Sequence, residues 1–398
     1  MPVVTLSKAN SVTRDNEINT AVPSGSYPSG NPISVGRATS ITYRELLFFD
    51  LGLIPNDAII NSASLKLRKS GGSAVAYPIG VHKVTSPWTN AVTWNTQPSF
   101  NDTPDASPSI GGNANTDYTI DIKALVQAWV SGEANNGMLL KFTDETISFD
   151  RFHSFYSFED GTVVFQPTLT IDYTIPTTGK KQVEYVGAGT PAYTSGSTTA
   201  TAPVPTGASV GDLVVAHFAV STTAAVTLPS GWTLAKSTVN GVWQYVIAYK
   251  KIASGDGAYT FRAPTALNWN MFTYAFRNVA NVLSPNSAAF SGVSSVKAPS
   301  TSVTASKTAF VLMTMNDGNN NATPPLSYNE LADAIVSAAY GSEVSMRYMH
   351  NLLSQANTDM QTNIGFNCNG VTNVFALEPI TNNPPTLTLT SPADNQTL

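Results

Sequence analysis

Apolar and polar side chains alternate one for one in two stretches of this chain. Ala63, Leu65 and Leu67 alternate with Ser64, Lys66 and Arg68. Leu169, Ile171 and Tyr173 alternate with Thr168, Thr170 and Asp172. Successive side chains of a strand point to opposite faces, so the pattern puts one face in a core and the other in water. Three further stretches, 213–220, 245–250 and 310–315, are more continuously apolar. They suit central strands covered on both faces. The expected fold class is all-β.

One helix stands out against this background. Asp121 can cap it by accepting backbone N–H bonds. Ile122, Leu125, Val126 and Trp129 then fall on one stripe, and Gly132 follows where a left-handed residue is favoured. A second helix is expected over 328–340, from the spacing of Leu331, Ala332, Ile335 and Val336 with Gly341 beyond. Segments 25–32 and 316–325 read as loops. Proline-bearing, weakly patterned stretches at 174–181 and 378–385 punctuate the chain. Such segments join domains, and a single core stops growing beyond roughly 250–300 residues. The 398 residues therefore divide into 1–175, 182–378 and a tail, 384–398. The expected architecture is two tandem jelly-roll-like β-sandwiches with one or two short helices.

Charged residues make up 12% of the chain, about half the usual ~25%. Thr, Ser, Asn, Gly and Pro take their place, as on many extracellular β proteins and virion parts. The net charge is −5 and no Lys/Arg cluster offers a basic face, so nucleic acid is not expected as a partner. Cys368 is the only cysteine, so the fold rests on no internal disulfide. No run of ~20 apolar residues is present to span a membrane. The first residues, Met1-Pro2-Val3-Val4, show no charged-then-apolar export signal.

Four stretches of the first half resemble the DNRLRE-type, or disaggregatase-related, domains also classed among carbohydrate-binding modules. They are Arg44-Glu45-Leu46-Leu47-Phe48-Phe49-Asp50-Leu51 with Ile54-Pro55; the run 58–67; Pro87-Trp88-Thr89-Asn90-Ala91-Val92-Thr93-Trp94-Asn95; and the helix 121–129 with the strand 137–141. The resemblance spans about Tyr43 to Tyr173 and is looser before residue 40. It implies a non-catalytic jelly-roll-like sandwich with one short helix, polysaccharide binding in some members, and a place in surface and phage proteins. The second half resembles a β-sandwich domain of phage and bacterial surface proteins through 207–216, 228–233 and 243–251. Residues 384–394 resemble the first strand of an immunoglobulin-like repeat, which implies continuation past Leu398 or pairing with a neighbouring chain.

Reactive constellations are scarce. The histidines His82, His153, His217 and His350 show no zinc spacing. Calcium is the one cofactor to consider, through oxygen ligands in loops. Its candidates are Asp15 and Glu17, Asp144 with Glu145, and the loop 101–105. A glycosidase needs two carboxyls flanking one bond, and Asp144-Glu145 or Glu159-Asp160 would point to opposite faces of a strand. No Gly-x-Ser-x-Gly elbow or phosphate-cradling loop occurs. No catalytic residues are assigned. Aromatic faces that can stack on sugars remain. Trp129, Trp94 and Trp232 are expected in the core. Trp88, Trp269 and the run 149–158 are the carbohydrate-binding candidates, with Arg151, His153 and Tyr156 reaching solvent while Phe152 and Phe158 face inward.

Two functions compete. The first is a non-enzymatic structural or adhesive part of a phage virion, with copies of itself or other virion proteins as partners and host glycans as ligands. The second is a carbohydrate-binding module protein of a bacterial surface or secreted polysaccharide-active system. Both place the chain on a virion or outside a cell. They differ in whether particle assembly or sugar affinity is primary.

Overall fold

The computed structural model describes residues 2–147, 149–176, 181–304, 308–318, 322–336, 340–350, 355–357 and 361–380. Among them are 24 strands and one α-helix, an all-β architecture of antiparallel sheets.

Eleven strands lie within residues 3–174: β1 (Val3–Leu6), β2 (Thr13–Asn19), β3 (Ile33–Ala38), β4 (Ile41–Phe49), β5 (Ile59–Gly72), β6 (Tyr77–Lys83), β7 (Ser109–Ile110), β8 (Asp117–Asp121), β9 (Met138–Phe142), β10 (Arg151–Phe155) and β11 (Thr168–Thr174). Their order is β1-β11-β5-β10-β3-β4-β9-β6-β7, with β2 on β4 and β8 on β5. The 14-residue β5 belongs to two layers. Its first part pairs with β11 and β8, and its end pairs with β10. One layer is therefore β1-β11-β5-β8 and the other runs from β10 to β6. Leu65, Leu67, Leu169 and Ile171 of the first layer meet Val35, Leu47, Phe49 and Phe142 of the second in one core. The period-two alternation predicts these inward residues correctly.

The helix α1 (Lys123–Val130) forms where the apolar stripe predicts it. Asp121 Oδ1 accepts the Lys123 N–H at 2.9 Å. Leu125, Val126 and Trp129 are buried. Gly132, at φ 111°, closes the helix in a conformation that side chains disfavour.

The other thirteen strands are β12 (Glu184–Ala188), β13 (Ala192–Ala202), β14 (Leu213–Val220), β15 (Thr233–Asn240), β16 (Trp243–Lys251), β17 (Tyr259–Arg277), β18 (Val279–Lys297), β19 (Thr301–Val303), β20 (Ala309–Asn316), β21 (Asn329–Val336), β22 (Tyr340–Tyr348), β23 (Gln355–Asn357) and β24 (Gln361–Pro379). One sheet runs β12-β17-β14-β16-β15, with β13 beside β17. The next runs β18-β24-β20-β22-β21. Both sheets follow one diagram: first strand, last strand, then the all-buried central strand, then the closing hairpin. β14 and β20 are equivalent and are buried along their whole length. Registers coincide too. Phe218 of β14 lies opposite Val246 and Met271, and Thr314 of β20 lies opposite Glu343 and Thr372. The halves 184–277 and 279–379 thus repeat one topology, joined through Asn278.

The two sheets pack face to face. Leu213, Val215, Ile247 and Phe272 meet Val311, Met313, Val344 and Phe375 in a shared core. Within it, Asn373 Nδ2 donates to His217 Nε2 at 3.2 Å, so His217 Nδ1–H donates to the Ser342 hydroxyl at 3.1 Å. The Tyr274 hydroxyl reaches the same Ser342 at 3.0 Å. Burial pushes the His217 imidazole down to about 3, so it stays neutral.

The second expected helix is overturned. Residues 329–336 form β21, an edge strand antiparallel to β22. A bulge between Glu330 and Ala332 shifts the inward positions by one residue. Leu331 and Ala332 therefore both pack against the core with Val336, while Ile335, the remaining residue of the expected stripe, is exposed. The tail 384–398, with its expected immunoglobulin-like strand, lies outside the described residues.

The second repeat also holds the first layer system directly. Arg347 pairs with Asp50. Ser327 donates its N–H to Asn10 O at 2.9 Å and accepts the Val12 N–H on its hydroxyl at 2.9 Å. The Tyr348 N–H donates to Gly52 O at 2.8 Å.

Candidate carbohydrate-binding surface

The two outer faces within residues 3–174 differ. The outer face of the β4–β9 layer is covered. After β6 the chain makes a long excursion, and its Trp88 and Val92 pack on Ile18, Leu46 and Leu139. The Trp88 indole donates to Asn136 O at 2.7 Å. Farther along, the Arg44 guanidinium lies 4.6 Å from the Trp94 ring centre and bridges Glu145 and Gln97. The segment that carries the family resemblance is thus a lid whose polar groups are already engaged.

The outer face of β1-β11-β5-β8 is open. Thr5, Thr170 and Ser64 follow one another across three strands, and the Thr5 and Thr170 hydroxyls meet at 3.0 Å. Lys66, Arg68, Asp117 and Thr119 continue the face across β5 and β8. At its end, the turn Val163–Phe165 stands beside β5, and Lys66 donates to Val164 O at 3.0 Å. There the Arg68 guanidinium lies 4.5 Å from the centre of the half-buried Phe165 ring. Tyr156 packs 4.8 Å from Phe165, and its hydroxyl meets Asn115 Oδ1 at 3.2 Å. Arg68 also pairs with Asp117 at 3.0 Å. Two aromatic rings, a guanidinium, a carboxylate and an amide therefore converge beside a flat row of hydroxyls. Aromatic faces take the C–H face of a sugar ring, and the polar groups take its hydroxyls.

Of the five sequence candidates, only Tyr156 lies in this patch. Trp88 and Trp269 belong to cores, and the Trp269 indole donates to Ser197 O at 3.0 Å. His153 is fully buried, not solvent-facing, because β10 turns it inward with Phe155. Burial pushes its imidazole down to about 4. Phe152 is half-exposed while Phe158 faces in. Arg151 does reach the surface, where it lies 4.6 Å from the exposed Phe149 ring centre. Sequence reasoning missed Phe165, Arg68 and Asn115. Their signal was thin: an apolar triplet after Gly161, and a basic pair on the polar side of β5.

The calcium candidates do not converge. Asp15 and Glu17 sit on β2, not in a loop, facing the core with Glu45. Asp15 accepts the Phe158 N–H and Glu17 the Ser34 N–H. Burial, foremost, holds Asp15 up to about 8 and raises Glu45 well above its ordinary range. Asp144 instead caps Thr146 elsewhere. Among the described residues, no group of three or more His, Cys, Asp or Glu is placed to hold a metal ion. No helix among them is long and apolar enough to cross a membrane.

Residues 10–173 match the model of carbohydrate-binding module family 96. No curated protein matches the chain. Among solved structures, "Structure of infectious bursal disease virus Gt strain" aligns over 95% of this chain and 80% of that one, at 11% identity and a TM-score of 0.11, a likeness too slight to carry any argument.

Proposed function

We propose, from the carbohydrate-binding-module-like domain at residues 10–173, that this chain binds a polysaccharide outside a cell. The ligand lies on the open sheet face against Tyr156, Phe165 and Arg68. The observation that carries this reading is the convergence of that aromatic pair and guanidinium at the edge of the outer face of β1-β11-β5-β8, where Thr5, Asp117 and Thr119 are exposed. Residues 1–175 and 182–378 act as two units, the first binding and the second supporting. The comparisons favour the carbohydrate-binding reading over the virion one, and nothing in them points to a particle.

We read the chain as non-catalytic. The tempting carboxylates have other work: Glu145 pairs with Arg44, Glu159 with Lys8, and Asp144 caps a turn. The test is affinity electrophoresis of the full chain through gels carrying purified cell-wall, capsular and plant polysaccharides. At least one polymer is expected to retard the protein. Tyr156→Ala and Phe165→Ala are each expected to weaken that retardation about tenfold, near the 1–1.5 kcal/mol typical of an aromatic contact. Retardation unchanged in both variants would move the site elsewhere, and silence across the panel would end the reading.

A further inference from the structure

The two repeats differ at one set of equivalent positions. On the outer face of the first repeat, Phe218, Val246, Met271 and Ala248 form part of a dry apolar cluster. The registers place Thr314, Glu343, Thr372 and Ser345 at the corresponding positions of the second. All four are at most 1% exposed. The hydroxyls of Thr314 and Thr372 lack a hydrogen-bond partner, and Ser345 and the Glu343 carboxylate have at most each other.

That arrangement is costly as it stands. A buried polar group without a partner has given up its hydration and gained nothing in return. The first repeat shows that the same fold accepts apolar residues here. Thr372, Thr314 and Glu343 are also consecutive across β24, β20 and β22, where neighbouring strands are ~4.8 Å apart. They face the same side, with Ser345 two residues beyond Glu343. Asp333 follows on β21 opposite Glu343, and its Oδ1 also has no partner. No lysine or arginine is among the groups that set the charge state of Glu343. Burial, foremost, holds its carboxyl up to about 8, with Asp333 and Glu330 adding to the rise and Ser345 opposing it.

We propose that Glu343, Thr314 and Thr372, with Ser345 and Asp333 beside them, bind a calcium ion inside the second repeat. The donor set is all oxygen, which suits a hard cation. Two carboxylates balance a divalent charge. A bidentate Glu343 with three hydroxyls supplies five of the 6–8 oxygens calcium takes. Three strands are then tied together where the first repeat uses packing alone.

The test is thermal unfolding of the full chain in EDTA, then in graded CaCl2, MgCl2 or NaCl. Calcium is expected to raise the unfolding temperature saturably, by about 5–10 °C at a hundredfold excess over Kd. Magnesium is expected to act more weakly and sodium least. Glu343→Gln should weaken the calcium response at least tenfold. A second variant carries the first repeat's residues, Thr314→Phe, Glu343→Val, Ser345→Ala and Thr372→Met. It should fold and ignore calcium. No response of the natural chain, or an equal response in either variant, overturns the site. The latter would place the ion elsewhere, for example near Asp15 and Glu17.

Discussion

The two repeats, 184–277 and 279–379, share a strand diagram and a register, yet they use their outer faces differently. The first closes its face with Phe218, Val246, Met271, Trp269 and Trp232. The second keeps Phe310, Leu312, Val374 and Ala376 apolar but places Thr314, Glu343 and Thr372 among them. Their shared inner faces differ in a second way, since His217 in the first occupies the position of Met313 in the second. One topology therefore tolerates either a dry or a polar outer layer. The difference lies in what each layer costs, not in how the strands connect.

Swapping residues between equivalent positions tests this comparison, and the largest effect is expected from the dry side. Phe218 is fully buried and packs 5.0 Å from Phe261, centre to centre. Phe218→Ala should cost about 3–5 kcal/mol in urea unfolding. A cost below about 1 kcal/mol would mean that the first repeat's outer face is not a packed core. The opposite exchange, Glu343→Val, removes a buried acid that has at most the Ser345 hydroxyl beside it. In EDTA it should raise stability by about 1–3 kcal/mol, read as a higher urea midpoint at unchanged slope. A fall instead would show that Glu343 has a partner within the protein.

A smaller effect is expected from pH, also in EDTA. Glu343 has its carboxyl raised from 4.5 to about 8, so the folded state holds a proton that the unfolded chain releases above 4.5. Its contribution is complete below 4.5 and is lost as pH rises through about 8. Asp15 on β2, raised from 3.8 to about 8, acts in the same direction. His217 has its imidazole lowered from 6.5 to about 3, so its contribution is complete above 6.5 and is lost as pH falls through about 3. Between about 4.5 and 6.5 the His217 slope offsets that of Glu343 and leaves that of Asp15. The unfolding temperature should therefore be highest near pH 4 and fall by a few degrees on either side. His217→Met should flatten the acid limb and Glu343→Val the alkaline one. Limbs that ignore both variants would assign the pH response to other groups.

Much of this was legible in the sequence, and the gaps have physical causes. Period-two alternation identified the inward residues of β5 and β11 because the layer they share has one wet face. Continuous apolar runs identified β14 and β20, which have none. The stripe of α1 was local and readable, while the N-cap position falls on Ile122 and Asp121, one residue earlier, accepts the Lys123 N–H. The strand β21 was not, because a bulge set the adjacent Leu331 and Ala332 both against the core, and the exposed Ile335 completed a helical spacing without being buried. Trp88 and Trp269 read as surface candidates because indoles serve cores and sugars equally well, and only the partners Asn136 and Ser197 decide. The Tyr156 patch assembles residues from β5, β8, a turn and the loop positions Asn115 and Tyr156, which no local window joins. The repeat left its trace in register, with equivalent positions filled by different residues.

The ties at Ser327, Arg347 and Tyr348 have a mechanical consequence. Under the proposed function, a pull on a polymer held within residues 10–173 reaches the second repeat sideways as well as along the chain, through Asp50 and the backbone bonds at Asn10 and Gly52. The load arrives on β22, the strand that also carries Glu343 and Ser345. Whatever stiffens that strand decides how much tension the glycan grip withstands before the two parts shear apart.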